Sequence, residues 1–359
     1  MNTTRSPDMM GALRLTRSGK LKEAVRLLRG GRPLAPAALP QVPEAVAGLV
    51  AKLGGAVRAL EDVFAPPDAR PAAPPDAQPG GGRFMTRHYA NAAGSRDYKL
   101  FVPSNYRGQP MPLVVMLHGC TQSPDDFAAG TRMNELAEAQ NFLVAYPAQD
   151  RRANATKCWN WFNTADQKRD QGEPSLIAGI TRQVMTDFSV RKNQVYIAGL
   201  SAGGATAAIM GAAYPELYAA IGVHSGLACG AADSMVSAFH AMKQGATVHK
   251  TIDGTTIPAI VFHGDRDHTV NVANADQVIA QAKANAKLTA KVTQGTSAGG
   301  ETYTRTEQTD SRGKPVLEQW VLHGAGHAWS GGSTAGTFTD PKGPDASREM
   351  VRFFFAHTL

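Results

Sequence analysis

Nothing in this 359-residue chain is apolar for long enough to cross a bilayer: no hydrophobic run approaches the ~20 residues that a spanning helix needs. An apolar h-region is also missing behind Met1-Asn2-Thr3-Thr4-Arg5-Ser6-Pro7-Asp8, so no secretory signal is read there and a cytoplasmic protein is the expectation. Cysteine is scarce. Three cysteines cannot all pair within one chain, and the number suits either reduced thiols or one disulfide with a third cysteine outside it. No Cys/His spacing matches a zinc site, so no metal is expected. Acidic charge is in the minority, with 30 Asp+Glu against 37 Lys+Arg, but the resulting +7 is not spread along the chain. Residues 1–32 hold eight Lys/Arg against Asp8 and Glu23, which is six of the seven net charges. The remainder is near neutral, which argues against a nucleic-acid-binding body.

What is present is the composition of a globular protein, 43% hydrophobic and 19% charged, with 36 glycines and 22 prolines to make tight loops. Residues 9–29 read as a basic helical hairpin, with Leu21, Ala24, Val25 and Leu28 on one face and Gly30-Gly31 as a stop. A second helix is expected over 43–64, where Val46, Leu49, Val50, Leu53, Val57, Leu60 and Phe64 share a face. Such a segment either packs as an appendage on itself or on the main body, or lies on a membrane or polymer surface through its basic amphipathic face. Residues 65–82, rich in Pro and ending in Gly80-Gly81-Gly82, form a linker, and a catalytic domain is expected over 83–359.

Within that domain strands are expected over 84–90, 97–102, 112–117, 141–146, 194–198, 219–224, 257–262 and 316–322. Helices are expected over 125–139, 173–187, 202–213, 274–286 and 345–356. Strands that alternate with helices imply an α/β fold, a mostly parallel sheet with helices on both faces.

The stretch Gln194-Val195-Tyr196-Ile197-Ala198-Gly199-Leu200-Ser201-Ala202-Gly203-Gly204 is a strand, a sharp turn and a helix start carrying G-x-S-x-G. Such a turn exposes a serine hydroxyl on a strained backbone and needs neighbours without side chains. A serine nucleophile needs a base, and the base needs an orienting carboxylate, which in this architecture follow in the order Ser, Asp/Glu, His. His263-Gly264-Asp265-Arg266-Asp267 follows one strand and His323-Gly324-Ala325-Gly326-His327 another. His327 is preferred over His323 as base and Asp267 over Asp265 as its partner. The oxyanion donors are expected to be the N–H groups of Ala202 and of Cys120, the latter in Leu117-His118-Gly119-Cys120-Thr121 after the third strand. His118 reads as a structural loop residue. Cys120 and Cys158 lie in loops at the same edge and are expected to bridge, against the alternative of three buried thiols. Trp159, Trp161 and Trp329 either pack the loops or line the substrate groove, which is expected to be open rather than lidded.

The stretches Leu-His-Gly-Cys-Thr-Gln-Ser (117–123), Tyr-Pro-Ala-Gln-Asp (146–150), Cys-Trp-Asn-Trp-Phe (158–162), Gly-Leu-Ser-Ala-Gly-Gly (199–204) and Gly-His-Ala-Trp-Ser-Gly-Gly (326–332) resemble the PHB depolymerase esterase family. That family groups short-chain polyhydroxyalkanoate depolymerases with feruloyl and acetyl xylan esterases. The resemblance covers about residues 84–359. It implies an α/β-hydrolase fold and ester hydrolysis without a cofactor, with Ser201, Asp267 and His327 as the triad. It implies a polyhydroxybutyrate-type polyester or its oligomers as substrate, with a feruloyl or acetyl xylan ester as the alternative. A non-catalytic granule-binding protein is the competing reading from another class. Many members are secreted, so the resemblance points to export where the N-terminus points to the cytoplasm.

Overall fold

The computed structural model describes residues 81–246 and 256–359. The helices expected over 9–29 and 43–64, and the linker as far as residue 80, lie outside the described residues. Ten strands form one sheet: β1 (Arg83–Asn91), β2 (Gly94–Val102), β3 (Met111–Leu117), β4 (Leu143–Pro147), β5 (Val190–Leu200), β6 (Ala220–His224), β7 (Ala259–Gly264), β8 (Thr289–Thr296), β9 (Thr302–Thr309) and β10 (Pro315–Leu322). Their spatial order is β1-β2-β4-β3-β5-β6-β7-β10-β9-β8. The six central strands from β4 to β10 run parallel, and the pairs β1–β2 and β9–β8 extend the sheet antiparallel at its two ends.

The continuous apolar runs became the centre because they have no polar side to turn to water. Every residue of β3, β4, β6 and β7 is buried. Successive side chains in a strand point to opposite faces, and the packing follows that rule. Leu113, Val115 and Leu117 belong to one core and Val114 and Met116 to the other. Seven α-helices are described: α1 (Pro124–Thr131), α2 (Met133–Gln140), α3 (Gly172–Asp187), α4 (Ala202–Ala213), α5 (Met235–Gln244), α6 (Ala273–Lys283) and α7 (Ala346–Phe355). Helices α3 and α4 cover the first face through Ile177, Ile180, Ala205 and Ile209. Helices α1, α2 and α7 cover the second through Phe127, Met133, Met350 and Phe354. Among the described residues no helix is long and apolar enough to cross a membrane.

Two elements differ from expectation. The helix over 125–139 is two helices, broken at Arg132, which takes a left-handed φ of 56°. The cause is tertiary: the Gly130 carbonyl accepts from Ser333 N at 2.8 Å and the Thr131 carbonyl from Ser347 Oγ at 2.6 Å. These contacts hold the end of α1 against the 333–347 segment. The hairpin β8–β9 was not expected at all. Strand β8 is exposed along almost its whole length, so it has no apolar period to read; its order comes from pairing with β9.

Candidate active site

Because β3, β5, β7 and β10 are parallel, the loops after them open on one edge of the sheet. Ser201 lies between β5 and α4 at φ 57°, ψ −119°, a positive φ that serine seldom adopts. The strain is held by Ser201 N donating to His224 O (2.9 Å) and by Ala205 N donating to Ser201 O (2.9 Å). The flanking glycines are obligatory. A methyl at Gly199 would lie 2.4 Å from the Gly203 carbonyl carbon, and one at Gly203 would lie 2.1 Å from Leu117 O. Ala202 is the first residue of α4, where N–H groups have no intrahelical partner.

Asp267 and His327 meet. His327 Nδ1 is 2.7 Å from Asp267 Oδ2, while Asp267 Oδ1 accepts from Thr269 N and Val270 N, each at 2.8 Å. Burial of the carboxylate works to raise its pKa. Hydrogen bonds from His263 and His327 outweigh burial and hold it well below the usual carboxylate range. His327 Nε2 is buried and makes no hydrogen bond among the described residues, so the nitrogen that a general base must use is available. No Ser201–His327 hydrogen bond is formed in this state.

Asp265 and His323 form a separate pair. His323 Nδ1 is 2.9 Å from Asp265 Oδ2, Gly324 N donates to Asp265 Oδ1 (2.7 Å), and His323 Nε2 is 2.8 Å from Thr304 Oγ1. Both imidazole nitrogens are engaged, the second of them on β9. This pair braces the loops after β7 and β10.

A Cβ on Gly119 would lie 3.6 Å from Ser201 Cβ, so the loop after β3 abuts the serine. Several bonds hold that loop. Cys120 and Cys158 form a disulfide, Gly119 N donates to Gln122 Oε1 (2.9 Å), and Thr121 N donates to Thr156 O (2.7 Å). His118 is fully engaged through Gly119 O (2.7 Å) and the Gln149 N–H (3.1 Å), and burial lowers its pKa to about 4. Cys229 is buried and outside the disulfide.

The three tryptophans, read from the sequence either as loop packing or as groove lining, are buried in this structure. Trp159 is 0% exposed and its indole N–H donates to His118 O at 3.1 Å. Trp329 is 1% exposed, stacks on His224 at 5.1 Å and donates to Ser347 Oγ at 3.0 Å. Trp161 keeps only a 6% exposed edge and packs edge-on against Phe162. An indole buried in a loop finds an acceptor for its N–H, and here that need makes tryptophan a clamp on the loops. Ser201 itself is 3% exposed.

Sequence reasoning missed the polar network beneath the insertion after β4. Glu173 accepts from Asn160 N (2.7 Å), Asn160 Nδ2 (2.8 Å) and Gln149 Nε2; Gln149 also donates to Cys158 O (2.9 Å) and accepts from Arg96 Nε (2.9 Å). Burial pushes the Glu173 carboxyl up to about 7. It also missed His263, whose only signal was its place beside Gly264-Asp265.

Residues 96–308, more than half of the chain, match the family model described as Esterase PHB depolymerase. The chain is 31% identical over 230 residues to poly(3-hydroxyalkanoate) depolymerase C of Paucimonas lemoignei, covering 60% of this chain and 54% of that protein. It is 27% identical over 243 residues to a poly(3-hydroxybutyrate) depolymerase of Ralstonia pickettii, covering 62% and 48%. The chain thus spans about half the length of these curated relatives. Among solved structures it is similar to an acetyl xylan esterase from Aspergillus awamori, with a TM-score of 0.60 at 20% identity, covering 77% of this chain and 100% of that one. The fold is that of the α/β-hydrolase esterases, and the chain belongs to the Esterase PHB depolymerase family.

Proposed function

We propose that residues 83–359 form a serine carboxylic-ester hydrolase acting through Ser201, His327 and Asp267, with polyhydroxyalkanoate-type polyesters or their oligomers as substrate. The observation that carries this reading is the arrangement around His327. One ring nitrogen is bonded to a buried, ionised aspartate, and the other is unbonded at the sheet edge where Ser201 stands on a strained turn. Ser201 Oγ attacks the ester carbonyl as His327 Nε2 takes its proton. Asp267 holds the ring with Nδ1–H toward Oδ2 and stabilises the imidazolium. The Cys120 and Ala202 N–H groups receive the oxyanion. His327 then protonates the leaving alcohol and activates water to release the acid.

The relatives' names support a polyester substrate, and the basic segment 1–64 behind the linker is the proposed contact with a polymer or granule surface. Turnover of p-nitrophenyl butyrate by wild type and by Ser201→Ala tests the reaction: the variant should lose at least about 10³ in kcat. Wild-type turnover no faster than a protein-free blank would support a non-catalytic binding protein instead, and equal turnover above the blank would move the nucleophile away from Ser201. Parallel incubation with polyhydroxybutyrate, feruloylated xylan and acetylated xylan tests the substrate class, and release of hydroxybutyrate in preference to ferulate or acetate is the expected result.

A further inference from the structure

Asp267 is approached by two imidazoles. His327 Nδ1 lies 2.7 Å from Oδ2, and His263 Nε2 lies 3.4 Å from the same oxygen. His263 is the penultimate residue of β7, where pairing of its strand with β10 opposite Val321 fixes its backbone. The side chains of His263 and Asp267 are both 0% exposed. His263 Nε2 is also 2.8 Å from Val270 O. A carbonyl can only accept, so this nitrogen carries the proton and faces two acceptors at once. Val270 closes the turn whose amides hold Asp267 Oδ1. His263 Nδ1 is buried without a hydrogen bond among the described residues. The only bonds that this ring makes there are therefore to the aspartate and its turn.

The geometry points to His263 as a positioning residue for the catalytic unit: its Nε2–H shares Asp267 Oδ2 with His327 and pins the Val270 end of the aspartate's turn. This rests on the assignment of Ser201, His327 and Asp267 made above. Two consequences follow. The carboxylate is fixed in the plane that His327 needs, and part of its electron density is drawn away from the His327 proton. The other titratable group facing this cluster is His224 of β6. Burial lowers its pKa to about 3, and its Nε2 accepts from Ser330 N at 3.0 Å, so it remains an uncharged neighbour.

Removing the His263 donor leaves Asp267 Oδ2 bonded to His327 alone. The carboxylate then holds the His327 proton more strongly, and the acid limb of kcat/KM moves to higher pH. Gln and Asn separate this role from packing. Gln can place an N–H near the Nε2 position, whereas the shorter Asn reaches only the Nδ1 position. The experiment measures kcat, KM, the pH profile and Tm on p-nitrophenyl butyrate for His263→Gln, His263→Asn and His263→Leu in the full chain, beside Ser201→Ala. His263→Asn and His263→Leu should lose roughly 10- to 100-fold in kcat with KM little changed, the range seen when a partner orienting an active group is removed. Their acid limb should rise, and His263→Gln should recover most of the rate and the original limb. Should Leu fail to fold, the Gln–Asn comparison decides alone. Equal behaviour of Gln and Asn, or an unmoved acid limb in folded Asn protein, overturns the positioning role while Ser201→Ala remains inactive. Activity retained in Ser201→Ala overturns the underlying assignment instead.

Discussion

Replacing Cys158 by serine removes the bridge to Cys120, which closes a loop with a sequence separation of 38. In the chain-entropy picture a cross-link of that span takes about 4 kcal/mol of freedom from the unfolded chain. At about 2–4 °C per kcal/mol for a domain of this size, Tm should fall by about 8–16 °C. The native geometry should survive, because the two loops are also joined by Thr121 N to Thr156 O at 2.7 Å and by Trp159 Nε1 to His118 O at 3.1 Å. A serine hydroxyl at 158 can still accept from Thr156 Oγ1, which lies 3.2 Å from Cys158 Sγ. What loosens is the position of the Cys120 N–H, the oxyanion donor in the proposed mechanism. Loss of an oxyanion donor costs about 10²–10³ in kcat, so a donor merely less well held should cost about tenfold with KM little changed. Thermal unfolding and kinetics of oxidised wild type, wild type with dithiothreitol and Cys158→Ser provide the assay. The last two should coincide. A variant melting within about 2 °C of oxidised wild type would contradict the entropy argument, and three alkylated cysteines in native air-handled protein would contradict the bridge itself.

Asp267→Asn should lower kcat by about 10³–10⁴, whereas Asp265→Asn should cost less than about tenfold, since its histidine is turned toward Thr304; reversed sensitivities in steady-state kinetics would reassign the carboxylate. Trp159→Phe leaves His118 O without its donor inside the protein, at a cost of about 1–3 kcal/mol, and should change KM equally on p-nitrophenyl acetate and on bulky esters. A selective rise in KM on the bulky ester would return Trp159 to the substrate groove. His118 and His224 have folded pKa values lowered to about 4 and about 3 by burial, so their stabilising effect is complete above the unfolded histidine pKa near 6.5. It is lost as pH falls from there toward those values, because unfolding then takes up protons. Glu173, pushed up to about 7 by burial, works in the opposite sense over the same interval and offsets one histidine, so urea midpoints between pH 7 and pH 5 should drop with a net slope approaching about 1.4 kcal/mol per pH unit, and about twice as steeply in Glu173→Gln; a flat profile in that variant would show that these rings are charged in the folded state.

Some of this molecule was legible because the interactions responsible are local. The G-x-S-x-G turn is legible from five residues because its own backbone crowds Gly199, where a methyl would lie 2.4 Å from the Gly203 carbonyl carbon, although the clash at Gly203 is with Leu117 O of the neighbouring strand β3. The central strands were legible because uninterrupted apolar runs can only be satisfied between two covering layers, and α4 follows directly from the turn before it. Other features carry no local mark. One helical stretch became α1 and α2 because carbonyls at Gly130 and Thr131 found partners about 200 residues away. Strand β8 has no buried face and exists through its neighbour. Three tryptophans read as exposed groove walls or as packing, and the tertiary fold turned them inward as loop clamps.

The residue order by itself determined where the chain could turn, which runs had to be buried, and that serine, aspartate and histidine candidates would stand at the ends of parallel strands. It favoured Asp267 with His327 over Asp265 and His323 but carried no record of which side chains meet, because Asp265 and Asp267 are near neighbours and so are His323 and His327. The folded chain decided that. Asp267 turns inward, where its carboxylate meets His327 and His263, while Asp265 stays nearer the surface with His323. The physical reason is one of range: burial acts within a segment, but the hydrogen bonds that orient Asp267 come from β7 and from the loops after β7 and β10, and are defined only once those strands lie side by side.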